Sequence, residues 1–239
     1  MGKPFGFPVK DFVAPSAPTG VVLDGQYACL ERLDAEAHVG DLFRANSEDT
    51  SDGIWDYMPY GPFHAQATYH RWVREMSALD DPFFYAIKNK DVGRFCGVAS
   101  YLRIDPNAGA IEVGHINMAP ALQRTRAATE AMHLMMKWAF EAGYRRYEWK
   151  CDALNAGSRR AAQRLGLSYE GVFRQATMYK GRNRDTAWFA AIDKEWPALE
   201  AAFQAWLNPK NFDAAGRQLE RLANLTSLVR VTHDPVLED

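Results

Sequence analysis

The sequence has few cysteines, no long hydrophobic run and little net charge, and each shortage argues against a class of protein. Its three cysteines are far apart and form no C-x-x-C pair, which argues against a zinc site or a disulfide framework and predicts a cytoplasmic protein without a metal. No apolar run approaches the roughly 18 residues that a membrane-spanning helix needs. The N-terminus lacks the pattern of a secretory signal, so no membrane association is predicted.

Charge is nearly balanced along the chain, with 28 Lys and Arg against 30 Asp and Glu. Basic residues are concentrated between 159 and 184, but acids elsewhere offset them. A net charge of −2 lacks the basic footprint that nucleic-acid binding requires, so no nucleic-acid partner is predicted. With 47% hydrophobic residues, the chain has the composition of an ordinary globular protein.

Periodicity predicts one folded domain between two terminal segments. Residues 1–20 contain four of the twelve prolines and are predicted to form an extended surface arm. Residues 21–207 are predicted to form a mixed sheet with helices on both faces, and residues 208–239 a polar tail. The predicted helices are 35–46, 64–79, 127–142, 155–166 and 196–207, and the predicted strands are 26–33, 83–88, 94–104, 110–118, 144–152, 172–179 and 186–193, the last two forming a hairpin around "KGRNRD".

The stretch "QRTRAATEAMHLMMKWAFEAGY" places Arg124 and Arg126 at the start of an amphipathic helix, just after a strand that ends near Met118. Free N–H groups and the helix dipole favour an anion at such a helix start, and the two arginines add positive charge. A pyrophosphate would suit this arrangement. The alternative is that the arginines are solvated and the alanines only favour helix formation.

Two segments together resemble the GNAT superfamily of acyl-CoA-dependent N-acetyltransferases, and within it the RimJ/RimL-type branch. They are "EVGHINMAPALQRTRAATEAM" and "YEWKCDALNAGSRRAAQRLGLSYEGVFRQA", and the resemblance covers about residues 20–207. It implies a three-layer α/β (α+β) fold whose central sheet is mixed, mostly antiparallel and has one splayed pair of strands. It also implies that acetyl-CoA is bound at the helix that begins near Ala127.

The family's loop pattern is Gln/Arg-x-x-Gly-x-Gly/Ala, and here Arg126 occupies the first glycine position. A glycine there supplies backbone freedom, so Arg126 is expected to adopt a conformation that a side chain tolerates. The pantetheine is expected to pair with Ile116 and Met118, with Asn155 beside it and Arg159 or Arg160 on the 3′-phosphate. The resemblance further implies that the backbone amides of seven consecutive residues bind the pyrophosphate. These residues are Gln123, Arg124, Thr125, Arg126, Ala127, Ala128 and Thr129.

Three residues are candidates for catalysis. Glu112 matches a strand position where the superfamily places a carboxylate that removes a proton through water; alternatively it is a solvent-facing strand residue. His115 is expected on the opposite face of a regular strand from Glu112. Ser158 matches the serine that the RimJ/RimL branch is thought to use toward the leaving thiolate; alternatively it caps its helix. The family's tyrosine and late glutamate are absent, since Ala162 and Thr177 stand there.

The segment "IWDYMPYGPF" combines aromatic residues with prolines and a glycine, which is typical of a lid or a substrate wall. Its candidate substrate-binding residues are Trp55, Asp56, Tyr57 and Tyr60, with the Asp56 carboxylate available for an ammonium group; the alternative is a satellite hydrophobic core. The acceptor is predicted to be a small-molecule amine or a protein N-terminus. A non-catalytic acyl-CoA-binding module is the competing class, and a monomer and a homodimer both stay open.

Overall fold

A computed structural model describes residues 3–237, which form one mixed sheet with helices on both faces. The strands are β1 (Leu23–Asp24), β2 (Ala28–Arg32), β3 (Phe83–Asn89), β4 (Arg94–Asp105), β5 (Ala110–Met118), β6 (Arg146–Asp152), β7 (Ser168–Tyr179) and β8 (Arg182–Ile192). Their order in the sheet is β1-β2-β3-β4-β5-β6-β8-β7. Neighbours are antiparallel except β5 and β6, which are parallel. The predicted mixed, mostly antiparallel sheet is therefore confirmed.

Helices cover the two faces of the sheet with separate hydrophobic clusters. They are α1 (Ala35–Asn46), α2 (Gln66–Ser77), α3 (Arg126–Glu141), α4 (Ala156–Arg164), α5 (Trp196–Leu207) and α6 (Leu222–Ser227). The larger cluster includes Ala131 and Met135 of α3 and Phe203 of α5. The smaller cluster joins α1 and α2 to Phe84 and Val98 on the other face. None of these helices is long and apolar enough, within residues 3–237, to cross a membrane.

The parallel strands β5 and β6 separate part-way along their length. Their pairing runs from Ala110 opposite Arg146 to Val113 opposite Trp149 and stops there. Beyond this point β5 continues along β4, while β6 continues along β8. The β4–β5 register also shifts near His115, whose φ of 50° is left-handed. The result is an opening between two strands, with a β-bulge on one side of it.

The predicted loop "KGRNRD" is wrong, because the turn between β7 and β8 is only Lys180 and Gly181. Both residues have positive φ, 47° and 71°, as a two-residue hairpin turn requires. Lysine is not one of the residues typical of that turn, and the surrounding charges made the segment resemble a longer loop. Strand β8 therefore begins at Arg182 and carries Arg184 within the sheet.

Both terminal segments pack against the domain. Pro15 and Pro18 of the N-terminal arm are buried, and the Tyr144 hydroxyl donates a hydrogen bond to the Ser16 carbonyl at 3.2 Å. The segment after Leu207 contains α6 and returns to α4, where Asp234 is fully buried. The polar tail predicted from composition is therefore a folded part of the structure.

Candidate active site

A cavity of about 940 Å³ lies where β5 and β6 separate, at the N-terminus of α3. Strand β5 contributes Ile116 and Met118, the two residues expected beside the pantetheine, to its wall. The segment after α5, which sequence reasoning did not connect with the site, contributes Phe212. Other lining residues are Ile54, Gln123, Arg124, Thr125, Arg126, Ala128, Thr129, Trp149, Asn155, Ser158, Arg164 and Trp206. Most of the residues predicted to bind a cofactor are thus brought together.

The start of α3 leaves only some of its amides free. Thr125 caps the helix, because its Oγ1 accepts a hydrogen bond from the Ala128 N–H at 3.1 Å. The Gln123 and Thr129 N–H groups donate to the Ala119 and Thr125 carbonyls. The expectation that every amide from 123 to 129 is available is therefore wrong. Within residues 3–237, the free N–H groups of this turn are those of Arg124, Arg126 and Ala127.

The left-handed residue of the loop is Arg124, with a φ of 59°, and not Arg126. Arg126 is the first residue of α3 and needs no glycine-like conformation. Its guanidinium lies between the rings of Tyr27 and Phe212, 4.5 and 5.0 Å from their centroids. Arg126 thus has the ordinary helical conformation that was expected at the first glycine position, and the left-handed residue lies two positions earlier, at Arg124.

Arg164 supplies a half-buried positive charge that the sequence did not single out for this cavity. Its Nη1 donates to Thr129 Oγ1 at 3.1 Å, and its guanidinium lies 4.9 Å from the Trp206 ring. No carboxylate pairs with it in the described part of the chain, and burial lowers its pKa. A half-buried cation without a counter-charge favours binding of an anion beside it.

Arg159 does not line the cavity, contrary to its predicted contact with a phosphate. It is 3% exposed, and its Nε donates to Asp234 at 2.6 Å while Nη2 donates to the other oxygen of the same carboxylate. Its Nη1 donates to the Ala153 carbonyl. Arg159 is unavailable to a phosphate because the C-terminal segment places the buried Asp234 carboxylate against its guanidinium. Arg160, the alternative, is exposed and also outside the cavity wall.

Asn155 and Ser158 lie at the start of α4 and face the cavity. The helix cap is Asn155, whose Oδ1 accepts from the Ser158 N–H at 3.0 Å. Ser158 Oγ instead accepts from Trp149 Nε1 at 2.9 Å. Since an oxygen that accepts from Trp149 still has its own hydrogen to donate, the Ser158 hydroxyl can serve as a donor in the opening beyond Trp149.

Glu112 and His115 lie on the face of the sheet opposite α3, which corrects the prediction that they face opposite ways. The bulge at His115 breaks the regular alternation, so its ring packs 5.1 Å from Phe84 and stacks 5.6 Å from Tyr60. Burial, reinforced by neighbouring arginines, lowers the pKa of His115 to about 4. The imidazole is therefore neutral at pH 7, and its Nδ1 is buried without a partner among residues 3–237.

Glu112 is 2% exposed and is not a solvent-facing strand residue. Its carboxylate lies 2.7 Å from Arg103 Nη1 and 2.7 Å from Lys150 Nζ. Burial raises its pKa, although both cations oppose the rise. The carboxylate is thus already held between two positive charges.

The aromatic segment does not line the cavity with its rings. Trp55 is buried against Phe63 and Tyr69 in the smaller hydrophobic cluster, so for this residue the satellite core is confirmed. The Tyr57 hydroxyl donates to the Leu154 carbonyl at 3.2 Å, and Asp56 is exposed. Tyr60 alone among the four predicted residues packs against His115.

Comparisons with known proteins agree on one family. Residues 28–168 match the acetyltransferase (GNAT) domain, and no curated protein matches the sequence. A GCN5-related N-acetyltransferase from Brucella melitensis is 42% identical with a TM-score of 0.90, over 92% of this chain and 100% of that one. A GNAT-family acetyltransferase from Chromobacterium violaceum is 40% identical with a TM-score of 0.76, over 83% and 99%. An acetyltransferase from Salmonella typhimurium that modifies the N-terminal serine of a ribosomal protein is 20% identical, with a TM-score of 0.62 over 72% and 99%, and shares the fold.

Proposed function

Because the chain belongs to the GNAT family of N-acetyltransferases, we propose that it transfers an acetyl group from acetyl-CoA to the primary amine of a small molecule. One observation carries this proposal. The cavity that begins at the free amides of α3 continues to Ser158, at the opening between β5 and β6. A long thioester bound there would have its diphosphate at one end and its sulfur at the other.

The residues at the start of α3 fit a diphosphate. The amides of Arg126 and Ala127 are free, and the half-buried guanidinium of Arg164 has no carboxylate partner in the described chain. Free N–H groups, a helix dipole and a cation together form a strong anion site. Met118 offers less than predicted, because its carbonyl already accepts from Gln123 Nε2 at 2.8 Å.

Acetyl-CoA supplies the acetyl group as a thioester, so a C–N bond forms while the C–S bond breaks. The amine loses a proton and the sulfur gains one. Ser158 is the donor for the sulfur, since its hydroxyl lies at the cavity wall with Trp149 Nε1 donating to its oxygen. This contact orients the hydroxyl and strengthens it as a donor.

His115 is the group that takes the proton, which leaves the cationic nitrogen formed after the neutral amine has attacked the thioester. It is neutral at pH 7, because burial holds its pKa near 4, and its Nδ1 is free of any partner within 3–237. Glu112, the predicted base, is instead engaged by Arg103 and Lys150 and balances their charge. We therefore place the reacting amine on the sheet face that carries His115 and Tyr60.

Amine-dependent release of free thiol tests the activity. The purified protein and acetyl-CoA are mixed with a panel of amino acids, polyamines, aminoglycosides and a peptide that begins with serine, and the thiol is measured with a colorimetric reagent. We expect release with at least one small-molecule amine and little with the peptide. Release with the peptide alone would make the protein an N-terminal acetyltransferase. Binding of acetyl-CoA without release by any amine would identify a non-catalytic module.

Replacing Arg164 with glutamine is expected to weaken acetyl-CoA binding by about 10- to 100-fold, the value of a charge-assisted hydrogen bond of about 1.5–3 kcal/mol. The dissociation constant is measured by calorimetry. The control is Arg74→Gln, an exposed arginine of α2, which is expected to leave binding unchanged. An unaltered dissociation constant for Arg164→Gln contradicts the assignment of this residue to the anion site.

A further inference from the structure

Strand β8 carries two buried hydrogen-bond donors that have no partner among residues 3–237. They are Arg184 Nε and Trp188 Nε1. Trp188 is opposite Lys150 in the sheet, and Lys150 Nζ lies 3.8 Å from the Trp188 ring. Residues two apart on a strand share a face, so Arg184 and Trp188 lie on the face that carries Lys150 and Glu112. An unpartnered buried donor costs about 1–3 kcal/mol, which a bound acceptor of hydrogen bonds would recover.

The guanidinium of Arg184 lies beside the opening between β5 and β6. Burial is the main cause of the low pKa of His115 on β5, and the charge of Arg184 adds to it. Burial likewise raises the pKa of Cys151 on β6 to about 11, and Arg184 is among the cations that oppose this rise. Arg184 is also 5.8 Å from the Tyr179 ring. Strand β8 pairs with β6 as far as Thr186 opposite Asp152, so Arg184 lies two residues beyond this pair, at the end of β6 that has separated from β5. It does not line the cavity assigned to acetyl-CoA.

No carboxylate of the described chain pairs with Arg184. The two acids nearest in the sheet are already engaged, since Asp152 accepts from the Tyr179 hydroxyl at 2.9 Å and Asp185 accepts from the Gln175 N–H at 2.7 Å. An arginine that is half-buried, uncompensated and next to a reaction site is suited to bind an anionic group of a ligand.

We propose that Arg184 binds a carboxylate of the acceptor, so that the acetylated molecule is a free amino acid or a similar small amine with an acid group next to the amine. This inference rests on the proposed acetyl transfer and specifies its substrate class. A planar guanidinium can hold both oxygens of a carboxylate, which would place the neighbouring amine toward His115. A peptide N-terminus has an amide at that position and offers Arg184 no charge.

Apolar surface beside Arg184 selects the side chain of the acceptor. Phe173 is opposite Thr186, between Arg184 and Trp188. Its ring is 57% exposed and lies 4.5 Å from the Trp188 ring. Two adjacent aromatic rings next to an arginine favour an amino acid with an apolar or aromatic side chain over a polyamine.

Matched pairs of acceptors test the inference. The ratio of kcat/KM is measured for phenylalanine, leucine and methionine, each against its own carboxamide. An amino acid amide is the less basic amine and so has the larger neutral fraction, which alone would favour it. We expect the wild-type enzyme to prefer at least one acid over its amide by about 10-fold or more, the value of a charge-assisted hydrogen bond.

Variants of Arg184 test whether this residue causes the preference for an amino acid over its carboxamide. Arg184→Gln is expected to abolish it and Arg184→Lys to retain part of it, while the dissociation constant of acetyl-CoA and the melting temperature stay unchanged. Arg182→Gln, an exposed arginine of the same strand, is the control and should behave as wild type.

Equal use of acid and amide by the wild type, or an intact preference in Arg184→Gln, overturns the inference. Acetylation of amides or other amines in that case would leave the proposed transferase standing, whereas no thiol release with any amine refutes the transferase itself.

Discussion

Replacing Asp234 with alanine is expected to lower the free energy of unfolding by about 3–5 kcal/mol, the usual cost of removing one partner of a buried ion pair. Asp234 is fully buried, and both of its carboxylate oxygens accept from Arg159, which is 3% exposed. The substitution leaves the guanidinium buried without its counter-charge. Urea unfolding followed by circular dichroism measures the loss.

Two further variants separate the ion pair from a general effect of losing an aspartate. Asp80→Ala removes an exposed carboxylate, 92% accessible and 3.4 Å from Arg32, and is expected to cost about 0–1 kcal/mol. The double variant Arg159→Met with Asp234→Leu replaces both charges by apolar groups and should recover most of the lost stability. Equal stability of Asp234→Ala and wild type contradicts the view that the tail is anchored by this pair.

Replacing Ser158 with alanine is expected to reduce turnover by about 100-fold or more, within the range for loss of a general acid. The Ser158 hydroxyl lies at the cavity wall, and Trp149 Nε1 donates to its oxygen at 2.9 Å. The substitution is expected to lower kcat rather than to weaken binding, because the proton is needed only as the C–S bond breaks. Steady-state kinetics with a saturating acceptor measure it.

The dissociation constant of acetyl-CoA distinguishes this role from a structural one. Ser158→Ala should bind acetyl-CoA within a few-fold of wild type, and α4 should remain intact because its cap is Asn155. Ser227→Ala removes an exposed hydroxyl from the end of α6 and serves as the control with normal turnover. Wild-type turnover in Ser158→Ala rejects the residue as the proton donor.

Features of the fold that depend on local patterns could be predicted from the sequence. The apolar spacing of α3 and its small residues at the start are local, and the observed helix differs from the predicted 127–142 by only one residue at each end. The succession of strands and helices along the chain followed from alternation and apolar spacing, and the splayed pair of strands followed from the family resemblance. The short turn at Lys180 and Gly181 could not be predicted, because a left-handed lysine depends on the strands that the turn joins.

Site residues that belong to one sequence motif could be predicted, whereas contacts between segments far apart in the sequence could not. Asn155 and Ser158 belong to one motif and both line the cavity. Arg159 belongs to the same motif, but its partner Asp234 is 75 residues away, and no local pattern indicates that contact. The bulge that turns His115 toward Tyr60 arises from the β4–β5 register. The residue types of β5 do not indicate this bulge, and regular alternation along the strand would place Glu112 and His115 on opposite faces.

A diphosphate held at the first turn of α3 is the central feature of the proposed site. Isothermal titration of the wild-type protein with CoA, and in parallel with pantetheine, tests this most directly because the two ligands differ by the nucleotide and its phosphates. We expect CoA to bind at one site per chain and pantetheine to bind at least about 100-fold more weakly, since two or more charge-assisted hydrogen bonds are lost. Absence of heat with CoA, or equal affinities for the two ligands, contradicts the assignment.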